Sequence, residues 1–91
     1  MAVFVVSYDL RKPGRDYQPL WGRLAAWRAV RGLQSLWFIN WDTNSTAIRD
    51  DLAKYVDPND ALFVGRLSGE AAWMGMQGTS GETLKTWIEG K

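Results

Sequence analysis

Histidine and cysteine are both missing from this chain of 91 residues. Without cysteine there are no disulfides, no thiolate metal sites and no cysteine nucleophile. Without histidine, the usual general base and the commonest zinc ligand are gone. Ser7, Ser35, Ser45, Ser68 and Ser80 therefore have no partner for a serine–histidine triad. Long apolar runs are lacking too, and nothing approaches the ~18 residues of a membrane-crossing helix. The apolar stretch at residues 3–6 is too short for a secretory signal, and no small-residue cleavage site follows it. A cytoplasmic protein with no membrane partner is the expectation. Asn44-Ser45-Thr46 is then helix-start chemistry, although it fits a glycosylation sequon. Any catalysis must run on carboxylates, hydroxyls, amines or a metal ion.

What is present is aromatic and unevenly charged. Six tryptophans, Trp21, Trp27, Trp37, Trp41, Trp73 and Trp87, give a large aromatic area for one small domain, and a second copy of the chain is the expected cover for part of it. The net charge of +1 conceals a gradient. Residues 1–31 hold six cations against two acids, whereas residues 32–91 hold five cations against eight acids. One basic face follows if the first group clusters, and an ordinary solvated helix face if it does not.

The hydrophobic pattern predicts the order β-α-β-β-α-β with a tail. Residues 3–8 read as a buried strand because the apolar run is continuous. Pro13-Gly14 ends it, and Asp16 is a candidate N-cap for a helix whose stripe is Tyr17, Leu20, Trp21 and Leu24, with Trp27 or Arg28 completing it. Residues 29–34 and 35–41 read as two strands joined by a bend or hairpin, with Gly32 marking a bulge or tight turn. Asn44 or Ser45 caps a second helix carrying Ile48, Leu52 and Tyr55 or Val56. Asp57-Pro58-Asn59-Asp60 is a turn before a strand over residues 61–67. The rest is glycine-rich, with Ser80 a candidate cap for a short helix over residues 82–89. The expected organisation is a ferredoxin-like α+β core over residues 1–67, an antiparallel sheet with two helices on one face, and a C-terminal extension over residues 68–91.

The candidate chemistry lies at the end of the first strand. Asp9 is placed to be a metal ligand or general base, or else to cap the next turn or pair with Arg11 or Arg15. One carboxylate holds Mg²⁺ poorly, Asp16 is the only other acid nearby in sequence, and a two-fold dimer would supply a second Asp9. The turn Arg11-Lys12-Pro13-Gly14-Arg15 offers charge and backbone N–H groups to phosphates, unless it is simply a solvated loop. Arg23, Arg28 and Arg31 would extend that surface. The tryptophans either stack nucleobases or fill the core and a dimer contact, and their spacing favours the second. The segment from Gly78 to Thr83 lacks the Gly-Lys-Ser/Thr ending of a phosphate loop and follows no strand.

Taken together, Ser7-Tyr8-Asp9-Leu10, Lys12-Pro13-Gly14, Tyr17, Ser35-Leu36-Trp37, Asp57-Pro58-Asn59-Asp60 and Gly69-Glu70-Ala71-Ala72-Trp73 resemble the small CRISPR-associated Cas-two proteins and their VapD-like relatives, and most closely a short SinR-like subset. The resemblance covers about residues 2–75 and leaves residues from Met76 onward unmatched. It implies a ferredoxin-like homodimer. It also implies Asp9 as the metal-binding catalytic residue of a nuclease in some members, a dimeric structural clamp in others, and an RNA-cleaving toxin in VapD-like relatives.

Two functions are therefore expected, from different classes. One is nucleic-acid interaction, with Mg²⁺-dependent cleavage of RNA or DNA by paired Asp9 carboxylates and with Arg11, Lys12, Arg15 and Arg31 on the phosphate backbone. The other is a non-catalytic dimeric scaffold that docks another protein through its C-terminal segment. The expected tail contact is residues 69–73 lying on a sheet edge, the chain's own or that of a second copy.

Overall fold

The computed structural model describes residues 2–90. The outer bounds expected for the core and the extension, residues 1 and 91, lie outside the described residues. The elements run β1 (Ala2–Asp9), α1 (Gln18–Ala26), β2 (Val30–Leu33), β3 (Leu36–Trp41), α2 (Ser45–Leu52) with a 3₁₀ turn (Ala53–Tyr55), β4 (Ala61–Leu67) and α3 (Ser80–Glu89). The chain is thus a small α+β protein with a four-stranded antiparallel sheet, in the order β2-β3-β1-β4, and three helices. Among the described residues, no helix is long and apolar enough to cross a membrane.

β1 is apolar from Ala2 to Val6, where it lies in the middle of the sheet between a core on each face. Phe4, Val6 and Tyr8 point into one core with Leu20 and Leu24 of α1, Trp37 and Ile39 of β3, and Ile48 and Leu52 of α2. Val3, on the opposite pleat, joins Phe38 and Leu84 of α3 in a second, smaller core. Period-two alternation along each strand sends successive side chains to the two cores.

Local chemistry explains where the elements start and stop. Asn44 caps α2 by accepting the Ala47 amide at 2.8 Å. Asp16 stands one residue before the cap position of α1, held by Tyr17, and accepts the Gln18 amide at 2.9 Å. Pro19 explains the shift, since it removes the N–H that a capping carboxylate would ordinarily take. Gln34 and Ser35 make the two-residue link between β2 and β3, and the register slips between Arg31 and Leu33, at Gly32. Ser80 does not cap α3 as expected. It is buried, and its hydroxyl donates to the Gln77 carbonyl at 2.6 Å, while Thr79 takes the cap position.

On the chain's own sheet, the tail meets the edge later than residues 69–73. The Gln77 amide donates to the Gly32 carbonyl at 2.9 Å, on the open edge of β2. A Cβ on Gly32 would come within 2.7 Å of the Met76 sulfur and 2.8 Å of the Phe38 ring, so the glycine is what admits the tail. Residues 68–75 are exposed, and Trp73 lies against Gly81 at the start of α3. From Gly32, α3 crosses the sheet towards Ala2 and Leu67, where Trp87 and Ile88 border a groove.

Candidate functional site

The expected site residues sit at one end of the sheet. Asp9 closes β1, paired with Ala61 of β4, and its carboxylate is 70% exposed. Arg11 Nε lies 3.2 Å from Asp9 Oδ2, and a second guanidinium nitrogen donates to the Asn59 carbonyl. Asp9, Ser7, Ala61 and Phe63 border a shallow hollow of about 160 Å³. No residue of α3 lines this hollow, and Leu84 of that helix packs instead on Val3 and Phe38. Phe63 is 63% exposed there, its ring lying across Gly65 on the same strand.

Folding brings two acids to the basic turn that sequence proximity does not. Asp60 accepts the Arg11 amide at 2.6 Å, the Tyr17 hydroxyl at 2.7 Å and the Asp57 amide at 2.8 Å. Asp57 accepts the Asn59 amide at 3.0 Å, with Lys12 Nζ at 3.2 Å and Arg15 at 3.7 Å from its other oxygen. The Asn59 amide and Lys12 hold Asp57 below the usual carboxylate range against the opposing effect of burial. Burial pushes Asp60 up, but the amide of Arg11, the Tyr17 hydroxyl and the amide of Asp57 together hold it below the usual range. Tyr17 moves the other way, raised by burial and by the Asp60 carboxylate it bonds. The turn's three cations thus meet three carboxylates, Asp9, Asp57 and Asp60. It is an anchored turn rather than a bare positive loop.

Asp16, the second acid considered for a metal, spends its carboxylate on the Gln18 amide. Among the described residues, no three of Asp, Glu, His or Cys come together as a metal-ligand group. Mg²⁺ is satisfied by one or two carboxylates with waters and substrate oxygens. Each chain offers one such carboxylate at this place, Asp9, and it already lies beside the Arg11 guanidinium.

Arg31 lies apart from this turn, in an aromatic knot that the sequence reading did not anticipate. The Tyr8 hydroxyl accepts Trp21 Nε1 and Trp37 Nε1, each at 3.0 Å. Arg31 sits over the faces of Trp21 and Trp37, 5.4 and 5.5 Å from their centroids, and donates two N–H groups to the Gln34 carbonyl. Buried indole N–H groups need acceptors, and one phenol oxygen serves both. Tyr8 was visible in sequence only as the residue between Ser7 and Asp9. Its clue was a hydroxyl on the apolar pleat of β1.

A second aromatic group lies at the opposite end of β3. Trp27 and Trp41 face each other with centroids 5.3 Å apart and ring planes at 44°. Arg23 covers Trp27 from 4.9 Å and itself donates two hydrogen bonds to the Asp51 carboxylate, at 2.8 and 2.9 Å. That bonding pulls Asp51 below the usual carboxylate range and raises Arg23 above its ordinary value.

No protein-family model matches the chain, and no solved structure matches it.

Proposed function

We propose that this chain is a ferredoxin-like homodimer of the Cas-two and VapD-like kind that interacts with nucleic acid, with paired Asp9 residues as an endonuclease site. The sheet order supports the fold reading, since counted from its other edge it runs β4-β1-β3-β2, the arrangement in which two β-α-β units interlock. α1 and α2 pack on the same face, as that fold requires.

The observation that carries the functional reading is the position of Asp9. It stands exposed at the end of β1, beside a hollow it shares with the exposed Phe63. Exposed aromatic surface next to an open edge strand favours pairing with a second copy. A two-fold contact through this corner brings one Asp9 from each chain to the axis. Mg²⁺ bound there would activate water and offset phosphate charge. The chain's own part is to fix the carboxylate through β1 and to hold the Arg11 guanidinium beside it, where a phosphate can compete for its remaining N–H groups.

A second reading rests on a specific observation as well. The neutralised turn, with Arg11 on Asp9 and Lys12 on Asp57, favours a non-catalytic dimeric scaffold that meets another protein through its C-terminal segment, where Met74 is 91% exposed.

Asp9→Asn separates the two. The nuclease reading expects Mg²⁺-dependent cleavage of RNA or DNA in the wild type and its loss in the variant, with the mass in sedimentation still twice that of the chain. A dimer whose wild type neither cleaves nor binds nucleic acid at about 50 mM salt, where phosphate contacts are strongest, leaves the scaffold reading. A monomer at about 100 μM removes the paired site, since one carboxylate per chain holds Mg²⁺ too weakly.

A further inference from the structure

Trp27 and Trp41 line an open groove of about 340 Å³ with Ala26, Arg28 and Asn40, between the end of α1 and the end of β3. We infer that this groove is a stacking platform for an unpaired base of single-stranded nucleic acid, with Arg28 on the adjoining phosphate. The inference rests on the reading of the chain as a nucleic-acid-interacting protein and goes beyond it by naming a single strand and a separate place for it.

Three features of the groove point to this ligand. The first is a rigid backing. Asp51 fixes Arg23, Arg23 covers one side of Trp27, and Trp41 leans on Trp27, so the outer ring is held in place before anything binds. A preordered aromatic ring loses little freedom when a base settles on it.

The second is exposure. Trp41 is 40% exposed, although it continues the same strand face as the buried Trp37 and Ile39. Its register partner in β1 is Ala2, too small to cover an indole. Stacking on an exposed tryptophan is sequence-tolerant and needs the face of a base, which a duplex hides.

The third is Arg28. Its φ is +59°, the left-handed region, and among the described residues it is alone in this apart from glycines. The position follows the C-cap of α1, where the Ala29 amide returns to the Leu24 carbonyl at 3.0 Å, and a glycine would meet the same demand without strain. An arginine kept in a conformation that disfavours it points to a use for its side chain. Arg28 is exposed and forms no ion pair among the described residues, unlike Arg11, Lys12, Arg15, Arg23 and Arg49.

The test is fluorescence anisotropy with labelled single strands of about 12 nucleotides, as DNA and as RNA, against an abasic strand of equal charge and a matched duplex. The wild type is expected to hold base-bearing strands at least about 10-fold more tightly than the abasic strand. Trp41→Ala should erase that margin, and Trp41→Phe should retain most of it. Arg28→Gly should weaken binding and lower the salt slope by about one unit, with Tm unchanged or raised. A purely structural arginine would not weaken binding while leaving the fold as stable. Equal binding of base-bearing and abasic strands to the wild type overturns the platform and leaves the wider nucleic-acid reading standing. A preference for the duplex does the same. No binding of any strand overturns both. Because the abasic comparison uses the unaltered protein, it decides the matter even if Trp41→Ala fails to fold.

Discussion

The two faces of the sheet are built differently. On one, α1 and α2 close over Phe4, Val6, Tyr8, Trp37 and Ile39, and ten residues form a continuous buried core. On the other, a single helix reaches Val3 and Phe38 with Leu84, and among the described residues the buried hydrophobic cluster holds just these three. The first face is assembled by helices that each connect two strands with a third lying between them in the sheet. The second depends on a tail that leaves β4, passes through exposed chain and takes hold at Gly32 on the far edge. The difference shows how a chain of this length covers a sheet. One side is sealed, and the other is covered only in part, which leaves Asp9 and Phe63 in the open.

The comparison can be broken most directly with paired truncations. Leu20→Ala removes a fully buried side chain from the first face and is expected to lower global stability by about 2–5 kcal/mol. Leu84→Ala deletes the same atoms from the second face. It is expected to lower the global transition less and to abolish amide protection across α3 selectively, because that helix opens as its own unit. Equal losses in urea melts, with α3 amides exchanging only on global unfolding, would make the two faces one cooperative unit.

Gly32→Ala sharpens the same point. The new Cβ meets the Met76 sulfur at 2.7 Å and the Phe38 ring at 2.8 Å, so one of them must shift. A loss of about 1–3 kcal/mol is expected, as for other overpacked sites. Proteolysis within residues 68–79 should accelerate while the sheet stays folded, and unchanged cleavage there would mean the tail is held elsewhere.

Acid should produce the smallest effect, confined to the first face and its turn. Asp51, Asp57 and Asp60 are all held below their ordinary value in the folded chain. Their contribution is therefore full above about pH 4, the unfolded value, and is lost as pH falls through the lower folded values. Tm should stay level from neutral pH down to about 5 and then decline. Asp57→Asn with Asp60→Asn should flatten the decline, and a decline of the same depth in that variant would locate the acid sensitivity elsewhere.

Much of the fold was legible because it is written in local pattern. The limits of β4 follow from the apolar run between the Asp57 turn and Ser68, and the hairpin of β2 and β3 follows from two strand-like segments meeting at Gln34-Ser35. The Asn44 cap was legible for the same reason, since a cap is satisfied within four residues. The start of α1 was less so, because Pro19 displaces the carboxylate that would otherwise cap it. The candidate site was legible only in part. Asp9 and Arg11 are near neighbours in sequence and in space. Asp57 and Asp60, more than forty residues away, decide how much positive charge the turn presents.

By itself, the sequence determined the kinds of elements, their order and the chemistry left to the chain once histidine and cysteine are absent. These depend on periodicity and composition, which need no knowledge of distant contacts. Tertiary structure alone decided which tryptophans are buried and which are bare. Trp37 and Trp41 share a strand face and a pattern, yet Trp37 meets Tyr8 and Arg31 in the interior while Trp41 lies opposite Ala2 at the edge of the core. Burial is a property of what packs against a side chain, and that is set by strand register and helix placement rather than by the residue's own neighbours in the chain.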